Sequence, residues 1–260
     1  MKNVLVFCVF ITVFVGCSSH KEDIFTVSKD QVDLFENVPR ANLPEVKYGY
    51  SVYLKLLADA DIVTEEHIVE SVVSIGKGLA KHARRRGFPY VFTVINDERI
   101  FASSTPGGFI YITNGMLEYL KSEEEIAAIL AHEIAQTQRR RMGFTRKKHF
   151  ANLVQDVSGY APFVLGPVGV TVPKGIKLVN NLLLKEASRI DRVIEADELA
   201  CFYLQKEKYS TQALYNIVKR IATADASLHS KIVDYQRLRP ITDERIKLLK
   251  NIITNDNTQN

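Results

Sequence analysis

The segment from Ser122 to about Arg140 constrains the fold more than any other part of the chain. Ser122 and Glu125 have the spacing of a capping box, in which a hydroxyl at the helix start and a carboxylate three residues on satisfy free backbone donors. The run AAILAHEIAQ then continues without a breaker, so one long helix is predicted. His132 and Glu133 stand in its middle, in the form of HExxH with the last histidine replaced by Gln136. In the intact motif, two imidazoles four residues apart project from one helical face onto a zinc ion, and the glutamate activates the bound water.

The elements around this helix follow from local pattern. Residues 48–57 read as a helix, and Thr64 is placed to cap the next, with Ile68, Val69, Val72, Val73, Ile75 and Leu79 near one face and an end before Gly87-Phe88-Pro89. Tyr90 to Ile95 is β-branched and aromatic, Asn96-Asp97 makes a turn, and Arg99 to Ala102 returns as a second strand. After Pro106-Gly107-Gly108 a third strand comprises Phe109, Ile110, Tyr111, Ile112 and Thr113, followed by a short helix over residues 115–121. Further helices are predicted over residues 191–206, 211–224 and 243–253, capped in the last two cases by Ser210 and Thr242. Residues 160–184 are apolar but carry Pro162, Pro167 and Pro173, so an uninterrupted spanning helix is excluded there; a buried hairpin and an apolar lid both fit.

The stretch FASSTPGGFIYITNGMLEYLKSEEEIAAILAHEIA resembles the core of the HtpX, BepA and CAAX-prenyl-protease family of zinc metallopeptidases. Two further blocks carry the same likeness. One is Ala187-Ser188-Arg189 with Glu195-Ala196-Asp197, and the other runs from Arg239-Pro240 to Glu244-Arg245-Ile246. The resemblance spans residues 64–253 and implies a zincin-like α+β domain, mainly helical, with a small antiparallel or mixed sheet beside the motif helix. It also implies the ligand set, and here the chain departs from it. The second zinc histidine falls at Gln136, the third ligand at Val193, and the histidine of the C-terminal His-Pro element at Arg239. His132 is the one retained ligand; Asp191 or Glu195 are the candidate substitutes, because the segment before Glu195 is one residue longer than the family pattern.

A neutral amide is a poor zinc ligand and an alkyl group is none. Sharing about 10–16 kcal/mol among four ligands, the loss of two weakens binding by about four to six decades. The site residues thus point to a non-catalytic polypeptide-binding or quality-control factor without a cofactor, in which the strand from Phe109 to Thr113 accepts an extended polypeptide by strand addition. The alternative is an active zinc metalloendopeptidase with substitute ligands and Glu133 as general base.

The N-terminus bears on location. Lys2 precedes an apolar run, VLVFCVFITVFV, too short for a comfortable span, and Gly16-Cys17-Ser18-Ser19 resembles a lipobox whose cysteine is acylated after cleavage. An uncleaved helix or a plain secretory signal are the other readings. The expected organisation is a signal peptide over 1–16, a lipidated tether over 17–45 and the peptidase-like domain over 46–260. Cys17 would anchor the protein at the periplasmic face of the bacterial envelope, at the outer membrane by the uncharged residue after it. Cys201 is then the remaining thiol besides the lipidated one, read as a core residue in LACFYL, so no disulfide framework arises. The formal net charge of +4 is too mild to imply nucleic acid.

Overall fold

A computed structural model of the chain describes residues 32–139 and 190–259. The segment expected to be a signal peptide, Cys17, and the apolar stretch over 160–184 lie outside the described residues. The elements are a 3-10 turn at Val32–Phe35, α1 (Leu43–Asp59), α2 (Glu66–Ala80), β1 (Val91–Ile95), β2 (Ala102–Thr105) and β3 (Phe109–Thr113). They continue with α3 (Asn114–Tyr119), α4 (Glu123–Arg139), α5 (Ile190–Lys206), α6 (Gln212–Ala222), α7 (Ala226–Leu238) and α8 (Asp243–Gln259). This is the mainly helical α+β arrangement that the sequence implied, with a small mixed sheet.

The sheet corrects one expectation. Its order is β1-β3-β2, with β3 parallel to β1 and antiparallel to β2. Phe109 to Thr113 is therefore the central strand, hydrogen-bonded on both edges and buried throughout, and it cannot accept an added strand. The second strand also lies three residues later than predicted, because Arg99 turns back on Asp97 instead of extending. The Arg99 backbone N–H and guanidinium both donate to the Asp97 carboxylate at 2.8 to 2.9 Å.

Folded chain begins earlier than residue 46. Leu34 is buried, Phe35 and Val38 pack against the core, and α1 starts at Leu43, with Pro44 in its first turn. Residues from Leu34 to Glu45 thus contribute side chains to the packed core. Glu45 is itself buried, held by the Arg85 guanidinium at 2.6 and 3.0 Å.

Helix α4 crosses the interior of the molecule, packing on α2, β2 and most extensively along α5. Ala127, Ala128, Ala131 and Ala135 on α4 and Ala196 and Ala200 on α5 are fully buried, and such small side chains let helix backbones approach closely. Both ends of α4 are tied down. At its start Glu125 pairs with Arg220 at 2.6 and 2.8 Å, while Glu124 accepts from the Ser210 N–H at 2.6 Å. The capping box is half formed: Ser122 Oγ accepts from the Glu125 N–H, but the Glu125 carboxylate reaches the N–H of Lys121. Near its end, Gln138 accepts from the Arg85 N–H at 2.6 Å and donates to the Tyr90 hydroxyl at 2.6 Å. No described helix is long and apolar enough to cross a membrane.

The Pro106-Gly107-Gly108 turn joins β2 to β3 against α1. A Cβ on Gly49 would stand 1.8 Å from the Pro106 carbonyl oxygen, and Gly107, at φ +85, lies where its own Cβ would meet Val46 Cα at 2.7 Å. Gly49→Ala must therefore push α1 off the turn, and a loss of about 2–3 kcal/mol is expected in a denaturant melt. Gly78→Ala is the control. There a Cβ meets the movable end of the Glu207 side chain, and the better helix propensity of alanine keeps the change within about 1 kcal/mol.

Candidate functional site

The middle of α4 is buried and charged. His132 and Glu133 are 0% exposed, as are Asp197 and Val193 on α5; Arg239 is 2% and Arg245 1% exposed. A buried ion costs several kcal/mol unless it is paired and hydrogen-bonded, so each of these groups must find a partner inside.

Two interlocked ion pairs meet that demand. Asp197 accepts from Arg245 Nε at 2.6 Å and from its Nη2 at 3.1 Å, and meets His132 Nδ1 at 2.7 Å. Glu133 accepts from Arg239 Nη2 at 2.6 Å, from Arg239 Nε at 3.1 Å and from the Ser104 hydroxyl of β2 at 3.1 Å. The two-pronged contacts match the planar guanidinium fork to each carboxylate. The pairs are also joined to one another, because Arg245 Nη1 donates to the carbonyl oxygens of Arg239 and Pro240 at 3.3 Å each.

Protonation follows from this geometry. Burial alone would raise the Asp197 carboxyl, but Arg245 and His132 offset it and hold the group below the usual carboxylate value. Burial pushes His132 the other way, below the ordinary imidazole value of 6.5, against the opposing pull of Asp197. An ionised Asp197 and a neutral His132 fix the tautomer: Nδ1 carries the proton and donates to Asp197, leaving Nε2 with a lone pair. That lone pair faces the Gln136 amide nitrogen at 3.1 Å and accepts its N–H.

The remaining sequence-predicted residues divide. Gln136 is 6% exposed and lies beside His132. Val193 is buried on α5 one turn before Asp197, a hydrocarbon where the resemblance placed a carboxylate. Asp191 and Glu195, the candidate substitutes, are exposed, so the structure does not bring them to the buried imidazole. Among the described residues no group of three or more His, Cys, Asp or Glu is arranged to hold a metal ion. His67 and His229 are exposed, and His82 pairs with Glu207 at 2.6 Å, away from the site.

The motif blocks contain Asp197, Arg245 and Ser104 without assigning them a role, and Arg239 stands there only as a replaced histidine. The available signal was an arginine at a position where a histidine was implied, in the same chain that had lost two ligands.

With this geometry in view, comparison with known proteins gives its lineage. The profile of peptidase family M48 matches residues 67–253. The chain belongs to peptidase family M48. Among curated relatives, the beta-barrel assembly-enhancing protease of Yersinia pestis is 23% identical over 219 residues, covering 80% of this chain and 43% of that protein. The protein of the same name from Escherichia coli K12 is 21% identical over the same length and shares. The mitochondrial metalloendopeptidase OMA1 of Arabidopsis thaliana is 21% identical over 196 residues, covering 75% of this chain and 38% of that one. The chain thus spans less than half the length of each of these M48 relatives.

The M48 site of this chain makes stability depend on pH with a definite sign. Below 6.5 the unfolded imidazole of His132 takes up a proton that the folded one refuses, so stability falls with acidification by up to about 1.4 kcal/mol per pH unit. Asp197 adds a second decline below 3.8, since its carboxylate contribution is present above that value and lost as pH falls toward its depressed pKa. Denaturant melts of His132→Gln from pH 7.5 to pH 5 are expected to show a shallower first decline. Asp197→Asn, which strands the Arg245 charge, is expected to cost about 3–5 kcal/mol at pH 7.

Proposed function

We propose that this M48 domain has a degenerate zinc site and serves as a non-catalytic, polypeptide-binding factor of the bacterial envelope, lipid-anchored through Cys17 at the periplasmic face. The observation that carries this reading is the Arg239 fork on Glu133. Both carboxylate oxygens of the family's general base are engaged by a permanent cation at 2.6 and 3.1 Å, within a pocket where Gln136 occupies the His132 lone pair and Val193 offers no donor. These residues do not fit a catalytic zinc ion.

A retained binding role has physical support of its own. With β3 closed on both edges, a separate groove of about 700 Å³ takes over as the binding surface, between the start of α2, the end of β1 and α3. Ile62, Ile68 and Leu117 supply apolar lining, while Asp61, Glu65 and Glu118 are exposed around it. Such a surface is complementary to an extended segment that mixes apolar and basic side chains. The names of the bacterial relatives, which speak of enhancing beta-barrel assembly, suggest envelope proteins as clients.

Metal analysis of the purified chain tests the first part: zinc far below one equivalent is expected, with no cleavage of an unfolded protein and no change on Glu133→Gln. One tightly held equivalent of zinc would sink the reading. Fluorescence anisotropy with a labelled basic-apolar peptide tests the second part, and Leu117→Glu is expected to weaken binding about tenfold or more.

A further inference from the structure

We infer that Arg239 is the resident cation of this site: its guanidinium takes the place of a metal ion as counter-charge to Glu133 and bars divalent cations even when the missing ligands are supplied. The inference rests on the zinc-free reading above but goes beyond it. Ligand loss explains weak binding, whereas a built-in cation makes the pocket refuse metal.

The charges of the cluster carry the argument. Among the described residues, Glu133 is matched by the Arg239 guanidinium and Asp197 by that of Arg245, so each carboxylate already has one cation against it and the two ion pairs together sum to zero. A dication added among them would leave two positive charges uncompensated in a buried interior. A guanidinium does not relieve this by losing its proton, as a lysine or histidine would.

Arg239 is also fixed in place. It stands at the C-terminal cap of α7, where its N–H donates to the Tyr235 carbonyl at 2.8 Å and its Nη1 to the Leu238 carbonyl at 3.1 Å. Its own carbonyl receives Arg245, which is held in turn by Asp197. Swinging the side chain aside therefore uncovers Glu133 and gives up the Leu238 carbonyl, while the Arg239 backbone stays tied to the second ion pair through Arg245. Restoring ligands by Gln136→His with Val193→Glu brings the cluster only to one net negative charge. Adding Arg239→Gln brings it to two, the charge that a dication neutralises.

The test compares zinc affinity, by chelator competition, and the visible absorption of bound cobalt in three proteins. These are the full chain, the variant Gln136→His/Val193→Glu, and the same variant with Arg239→Gln. The expected result is an empty parent, weak binding by the first variant, and binding tighter on the order of a hundredfold by the second, with tetrahedral cobalt bands. Equal affinity of the two variants, or no binding by either, overturns the inference and leaves the zinc-free reading standing. Stoichiometric zinc in the parent overturns that reading itself.

A second measurement holds if the multiple variants do not fold. In a thermodynamic cycle of Arg239→Gln and Glu133→Gln on the metal-free chain, the double substitution is expected to be less damaging than the sum of the singles. The expected coupling is on the order of tenfold or more in the unfolding constant. Additive effects overturn the proposal.

Discussion

The structure is organised by the buried contact between α4 and α5, where alanines bring the helices together and the charged side chains between them have no exposed surface. Every ionised group placed there must be neutralised from within the protein, and every polar atom must find a protein partner. That single constraint explains why two arginines from the C-terminal third of the chain reach back to carboxylates on both helices. It also explains why Arg239 and Arg245, among the longest and most strongly hydrated side chains, are nearly inaccessible. The C-terminal segment from α7 to α8 is thus joined to the central helix by charge as much as by apolar packing.

Much of this was legible in the sequence because it depends on short-range pattern. The motif helix, the strand from Phe109 to Thr113 and the helix before Lys206 all declare themselves through periodicity, capping and β-branched runs. Strand order did not, since parallel pairing of β1 with β3 joins residues separated by the whole of β2 and its turn. Helix α7 was missed for a different reason. Its buried residues Ile232, Tyr235 and Leu238 form a thin stripe amid polar residues, although Asp225, which accepts from the N–H groups of Ser227 and Leu228, announces its start.

The site divides along the same line. Replacement of the implied ligands by Gln136 and Val193 could be read residue by residue against a motif. The replacement cation could not, because Arg239 lies 106 positions from Glu133 in sequence and the pairing exists only once α7 has packed. The expected substitutes, Asp191 and Glu195, fail on helical phase: Val193 and Asp197 share the inward face of α5, whereas Asp191 and Glu195 are exposed.

The anchoring of α4 at both ends has a consequence for how the molecule breathes. Glu124 and Glu125 at one end and Gln138 at the other are held by separate parts of the chain. Among the described residues, the turn that bears His132 therefore lies between two anchored points of its helix. Its amide protons are expected to exchange with solvent through loss of the whole domain rather than through local fluctuation. A helix supported in this manner keeps its register through its ends, which frees its centre to change chemistry while the scaffold persists.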